Sequence, residues 1–149
     1  MAWASTYPAT KAALIALWDA AVDVPVINGP TIGAGLDGVV TVGYQDETTP
    51  IVMEGSLARE TYNGSPEREQ YTINCSVGIQ SGSTDIAPLE AAVVVLWKAV
   101  AAVLAANRTL GGTTMIAGID RYQLWESQAP DGCTVIMKFS VAIDASTTV

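Results

Sequence analysis

Apolar residues recur with a helical period over two stretches of the chain and with an alternating period over most of the rest. In Thr6–Val22, opened by Thr6-Tyr7-Pro8, the residues Leu14, Leu17, Trp18, Ala21 and Val22 fall on one face, with Ile15 at its edge. Ala9, Ala12, Ala16 and Ala20 line the other side of this helix. In Ser83–Arg108, Leu89, Val93, Leu96, Trp97, Val100, Val103 and Leu104 form a second stripe. Ser83, Thr84 and Asp85 are candidate caps, Pro88 sits in the first turn, and Asn107-Arg108 with Gly111 and Gly112 supply the stop. The far side of this second helix is apolar too: Ala91, Val94, Val95, Ala101, Ala102, Ala105 and Ala106, with Lys98 as its charge. Such a helix needs two packing partners, the sheet of its own domain and then another helix or another subunit.

The alternating stretches predict strands. Val24–Asn28 is short, and Pro25 suits an edge or a strand start. Val39–Tyr44 is a second strand, followed by the acidic turn Asp46–Pro50 and then a long hairpin, Ile51–Tyr62 and Glu67–Gln80, around Asn63-Gly64-Ser65-Pro66. Its second arm points Tyr71, Ile73, Cys75, Val77 and Ile79 inward and Thr72, Asn74 and Ser76 outward. A last hairpin joins Thr113–Glu126 to Gly132–Asp144, where Cys133, Val135, Met137, Phe139, Val141 and Ile143 share one face. Its first strand has Ile116, Ile119, Tyr122, Leu124 and Trp125 spread over both faces, the pattern of a central strand or of one covered by a neighbour. Ala145–Val149 reads as a loose tail. The order of elements predicts an α+β domain: an antiparallel or mixed sheet, two helices packed on one face, and a long protruding β-hairpin.

Charge narrows the function. At 149 residues, half of them apolar, the chain is long enough to bury a real core as one domain. Its net charge of −8 argues against general affinity for nucleic acid, which depends on Lys and Arg meeting phosphates. Leu89–Ala106 approaches the length of a membrane span, about 17 residues at the least. Glu90 and Lys98 lie inside it and no basic cluster or aromatic belt flanks it, so no span is expected. The opening residues lack a charged segment followed by an apolar core and a cleavage site, so no secretory signal is expected.

Chemistry finds little to work with. The chain has no histidine, which removes Ser–His and Cys–His nucleophile systems and the common zinc sites. Cys75 and Cys133 alternate with core residues and read as buried thiols. Gly33-Ala34-Gly35-Leu36-Asp37-Gly38 spells the dinucleotide-binding glycine pattern, but the strand-like Val39–Tyr44 follows it where a helix is required. No catalytic residue, cofactor site or metal site is expected. Charges crowd the outer half of the long hairpin and the turn before it: Asp46, Glu47, Glu54, Arg59, Glu60, Glu67, Arg68 and Glu69. With Lys98, these are the candidate subunit or partner interface.

Taken together, the Ala-rich opening Y-P-A-T-K-A-A-L-I-A-L-W-D-A-A, then V-P-V-I-N-G-P, V-V-T-V-G-Y, E-R-E-Q-Y-T-I-N-C-S-V-G-I-Q-S-G, the long helix, and T-L-G-G-T-T-M with D-G-C-T-V-I-M-K-F-S-V-A-I resemble a known layout. The chain resembles the tail terminator (tail completion) proteins of long-tailed bacteriophages, in particular those of actinobacteria. The resemblance covers most of the length and makes residues 1–149 one tail-terminator-like domain. It implies a structural virion protein, a homo-oligomeric ring, typically a hexamer, capping the head-proximal end of the tail tube. Such a ring stops tube polymerisation and offers a docking face to the head connector, so its partners are itself, the tail-tube protein and the connector or neck protein. It is assembled in the host cytoplasm and located in the virion tail. Genomic DNA passes through its lumen without specific binding; a six-fold ring of −8 subunits carries roughly −48, which repels phosphates. Two alternatives remain: a tail-tube or head–tail joining subunit, and, from another class, a small enzyme or ligand-binding domain with a deep pocket. Reversing charge at Arg59 or Arg68 separates a reaching arm from a solvated hairpin tip.

Overall fold

The computed structural model describes residues 5–30, 33–59 and 67–147. Its elements run α1 (Tyr7–Ala21), β1 (Val26–Asn28), β2 (Val39–Val42), β3 (Met53–Arg59), β4 (Glu67–Ser81), α2 (Ala87–Ala106), a 3₁₀ turn (Leu110–Gly112), β5 (Ile116–Ala129) and β6 (Gly132–Thr147). This is the α+β fold that the pattern predicts. The strands form one mixed sheet in the order β1-β2-β4-β6-β5; β1 and β2 are parallel, and the remaining pairs are antiparallel. The long strand β4 has two partners on one edge: β2 takes Cys75–Gly78 and β3 takes Glu67–Ile73. The changeover falls at Asn74, whose N–H donates to Val52 O (2.9 Å) and whose carbonyl accepts from Tyr44 N–H (2.6 Å).

Strand alternation builds the core. Tyr71, Ile73, Cys75 and Val77 of β4 face the same side as Val135, Met137, Phe139, Val141 and Ile143 of β6, and all are buried. Both helices lie on that side. From α1, Leu14 and Trp18 are buried; from α2, Leu89, Val93, Val100 and Leu104. Trp18 ties the layers together: its ring stands edge-on to Phe139 at 5.9 Å and its indole N–H donates to Val100 O (3.2 Å), so the polar tip of a buried aromatic is satisfied. By length and composition α2 is apolar enough to cross a membrane, yet its large-residue stripe is the one seated on the sheet.

Four expectations change. The strand with apolar residues on both faces is not central: β5 is the edge strand of the sheet, and β6 is the inner one. Nor is Ala145–Thr147 a loose tail. It continues β6, pairs with Glu67–Glu69 and buries Ala145. The turn of the last hairpin is shorter than expected, because β5 runs on through Ser127-Gln128-Ala129 to a tight reversal at Pro130-Asp131. Ser76 points outward, as its alternation requires, but is fully buried. A segment from the glycine-rich loop crosses the sheet there: Gly33 O lies only 1.8 Å from where a Cβ on Gly78 would stand, and Gly33 also meets Tyr44 and Ile136. That loop leads into β2 and pairs with β4 through Gly35 and Ile79, a strand context and not a phosphate-binding one. Cys75 and Cys133 are free, buried, and separated along the sheet by six residues of β4, about 20 Å, too far for a disulfide.

Candidate assembly surface

The charged positions singled out in the sequence do not gather into one patch. Asp46 lies on the sheet face away from the helices, where its turn folds back on it: Oδ1 accepts from Thr48 N (2.9 Å), Thr49 N (2.7 Å) and Thr48 Oγ1 (2.9 Å), and Oδ2 from Tyr44 Oη (2.7 Å). Lys138 of β6 forms an ion pair with Asp46, donates to Thr48 Oγ1 (3.1 Å) and stands over the Tyr44 ring. Partial burial alone would raise the Asp46 carboxyl, but Lys138, Tyr44, Thr48 and the Thr49 amide outweigh it and hold it well below the usual carboxylate range. Burial, then Asp46, pushes the Tyr44 hydroxyl the other way, upward. Glu47 is exposed in the same turn, and Glu54 is exposed on β3 opposite Thr72.

Two residues of the arm are engaged within the subunit. Arg68 forms a two-pronged ion pair with Asp144 of β6, its Nε donating to Oδ1 at 2.8 Å, and the guanidinium draws the Asp144 carboxyl below its ordinary value. Glu69 is buried under the start of α1, where it accepts from Ser5 Oγ (2.6 Å), Thr6 N (2.8 Å) and Thr6 Oγ1 (2.8 Å). Thr6 makes no side-chain cap of its own, so the Glu69 carboxylate serves as the cap from a distant strand, at the positive end of the helix dipole. Glu60 lies outside the described residues, as do the side chains of Arg59 and Glu67. Lys98 is exposed on the outward side of α2, on the opposite face of the molecule from Asp46.

Between β3, β4, β6 and β5 the outer sheet face holds a polar hollow of about 270 Å³, lined by residues including Tyr44, Glu54, Asn74, Arg121, Lys138 and Ser140. Tyr44 in its lining is paired with Asp46 of the neighbouring turn, and both meet Lys138, a brace that fixes the turn. The Cys75 thiol, beneath the sheet, is pushed up to about 12 by burial, which leaves it inert as a nucleophile. Among the described residues no group of three or more His, Cys, Asp or Glu could hold a metal.

The surface that stands out is one the sequence reading passed over. From Asp120 to Pro130, β5 is exposed along its whole length, and its outer backbone edge has no strand partner among the described residues. Tyr122 (62% exposed) and Leu124 (44%) lie opposite Phe139 and Met137 on the helix face; Trp125 (46%) lies opposite Ile136 on the other. Trp97 of α2 packs on Tyr122 at 4.9 Å and holds that ring in place. A bulge at Asp120 marks where the exposed stretch begins. The signal was present in the sequence as apolar residues on both faces of one strand. What it could not disclose is that no strand among the described residues lies beyond it.

The described residues leave a second edge open on the opposite side of the sheet, where β3 pairs only with β4 and β1 only with β2. On the helix layer, Ala91, Ala92, Val95, Ala99 and Ala102 of α2 are exposed, so α1 leaves part of that side uncovered.

No family model and no curated protein matches the chain. Among solved structures, a chain of the "Virion of native gene transfer agent (GTA) particle" is similar over 95% of this chain and 92% of its own, at 14% identity and a TM-score of 0.30. At that score the likeness carries no argument about this chain, and the functional reading rests on the chain's own surface.

Proposed function

We propose that the protein is a virion structural subunit of a long-tailed bacteriophage that assembles into a closed ring, a hexamer on the resemblance, and caps the head-proximal end of the tail tube. The observation that carries the proposal is β5: a fourteen-residue edge strand, open along its backbone, with Tyr122, Leu124 and Trp125 exposed on both faces. An isolated soluble domain blunts such an edge, since it invites pairing with another chain. The sheet's other open edge, β3 with β1, lies on the opposite side, so one copy presents two different edges to its neighbours. Contact between unlike edges is heterologous, and it closes into a ring when the rotation per subunit divides a full turn. The ring would halt tube growth on one face, meet the head connector on the other, and pass DNA through an acidic lumen that does not hold it.

A tail-tube or neck subunit would use the same edges. Negative-stain microscopy with light scattering of the purified protein separates the readings. Closed rings of fixed size that cap tubes made by another protein support the terminator; long tubes from the protein alone favour the tube subunit. A strict monomer at high concentration removes the assembly reading and returns attention to the outer-face hollow.

A further inference from the structure

The net charge of −8 is concentrated at one end of the molecule. β4 finishes there, β1, β2 and β6 begin there, α1 ends there and α2 starts there. That end carries Asp23, Asp37, Asp85 and Asp131 in its turns, Glu90 in the first turn of α2 and Glu126 near the end of β5, and no lysine or arginine lies among its described residues. The seven basic residues occur singly and lie in the middle or towards the other end, where Lys138 and Arg68 are paired with carboxylates. Six acids against no base thus account for most of the net charge. The C-terminal end of the α1 dipole adds to the negative field at the same place.

An apolar groove opens at this end. The last residues of α1, the lead into β1 and the first half of α2 border an open, shallow groove of about 510 Å³, lined by Val22, Val24, Ile79 and Leu96 and by alanines of α2. Asp23 and Asp37 are part of its lining, and Val95 stands in it 68% exposed. The α2 wall runs from Ala91 to Ala99, about 12 Å at a helical rise of 1.5 Å per residue, or two turns. Alanine walls let another helix approach closely. A groove of apolar floor and purely acidic rim fits a ligand with an apolar stripe and a cationic border.

We propose that this groove docks a basic amphipathic helix from a partner protein. A second copy of the chain supplies that complement poorly, since its seven Lys and Arg occur singly and Lys98, beside the apolar outer side of α2, is the one basic residue of that helix. Nucleic acid and anionic lipid are repelled by the same rim. The inference stands apart from the β5 edge and does not depend on ring assembly.

The test uses a fluorescent 18-residue helical peptide with a Leu/Ala stripe flanked by lysines. Its controls are a scrambled peptide of equal composition and a copy with every Lys changed to Glu, all titrated against the full chain. The stripe peptide is expected to bind at least tenfold more tightly than either control, and to weaken about tenfold between 50 and 300 mM salt. Val95→Lys and the double variant Asp23→Lys/Asp37→Lys change exposed positions and are expected to lose tenfold or more with unchanged thermal melts. Lys98→Glu, outside the groove's lining but one turn along α2 from Val95, is expected to strengthen binding, an outcome that misfolding cannot imitate. Equal binding of the scrambled peptide, indifference to Val95→Lys, or a protein dimer split by Val95→Lys would each overturn the proposal.

Discussion

The two hairpins of this molecule look alike in outline and differ in what they leave exposed. In the β3–β4 hairpin the conspicuous residues are charged, and the structure engages two of them inside the subunit: Arg68 with Asp144, and Glu69 beneath the start of α1. In the β5–β6 hairpin the conspicuous residues are apolar, and the outer strand leaves four of them, Ile116, Tyr122, Leu124 and Trp125, in solvent. A charge can be satisfied by a partner sixty residues away without any sign of it in the local sequence. A tryptophan or leucine on an edge strand is satisfied only by being covered, and here nothing described covers it. Exposed apolar surface on an open edge is therefore a sharper pointer to assembly than a run of charges.

The largest expected effect on stability tests the inward role of the first hairpin. Glu69→Ala strips three donors at the α1 terminus of their acceptor and is expected to destabilise by about 3 kcal/mol, read as a lower denaturant midpoint with unchanged slope. Unchanged stability with failed assembly would reverse the comparison. Next comes the second hairpin. Leu124→Lys with Trp125→Lys is expected to weaken association by about 2 kcal/mol or more, near thirtyfold, while the melting of the single subunit moves little. If the double variant assembles normally, β5 is not the interface.

Arg68→Ala sharpens the contrast at smaller cost. The pair is partly exposed, so its loss is expected to cost about 1 kcal/mol or less at neutral pH. Because Arg68 lowers the Asp144 carboxyl in the folded state, that contribution is complete above the ordinary aspartate value, about 3.9. It fades as pH falls through the lowered one, so the gap between wild type and variant in urea titrations should close in acid. Normal assembly of a charge-reversed Arg68→Glu would show that the arm does not reach a neighbour through this residue.

The smallest effect lies where the second hairpin touches α2. Desolvation and then the neighbouring Glu90 carboxylate push Glu126 upward, so its charged form is disfavoured in the folded protein. Glu126→Gln is expected to raise the melting temperature slightly at neutral pH. The sign follows from the raised value: the penalty is full above the folded pKa and disappears once both states are protonated. A difference that persists in strong acid would point to some cause other than charge.

Much of this architecture was legible from spacing alone. The alternation in β4 and β6 gives the inward set correctly, and Pro88, the stripe through Leu89, Val93, Val100 and Leu104, and Asn107 locate α2 to within a few residues. Distance along the chain decided what was missed. Ala145 is strand because Glu69 lies beside it, the outer sheet face two residues from Ser76 is covered because Gly33 crosses at Gly78, and Glu69 is a helix cap because Thr6 happens to fold above it. The edge position of β5 belongs to the same class. A period reports which face a residue is on, and pairing partners are set by topology, which no local window contains.

The inner position of β6 also orders events in time. Ser81 pairs with Cys133 and Glu67 with Thr147, so the longest ladder in the sheet joins strands separated by an entire helix and another strand. During synthesis β4 can meet β2 and β3 early, but its other side stays open until β6 has emerged, and contacts of that sequence separation form slowly. Among the described residues, β5 in turn pairs as a strand only with β6. A chain from which β6 has not yet emerged therefore lacks the backed β5 edge on which the proposed association rests.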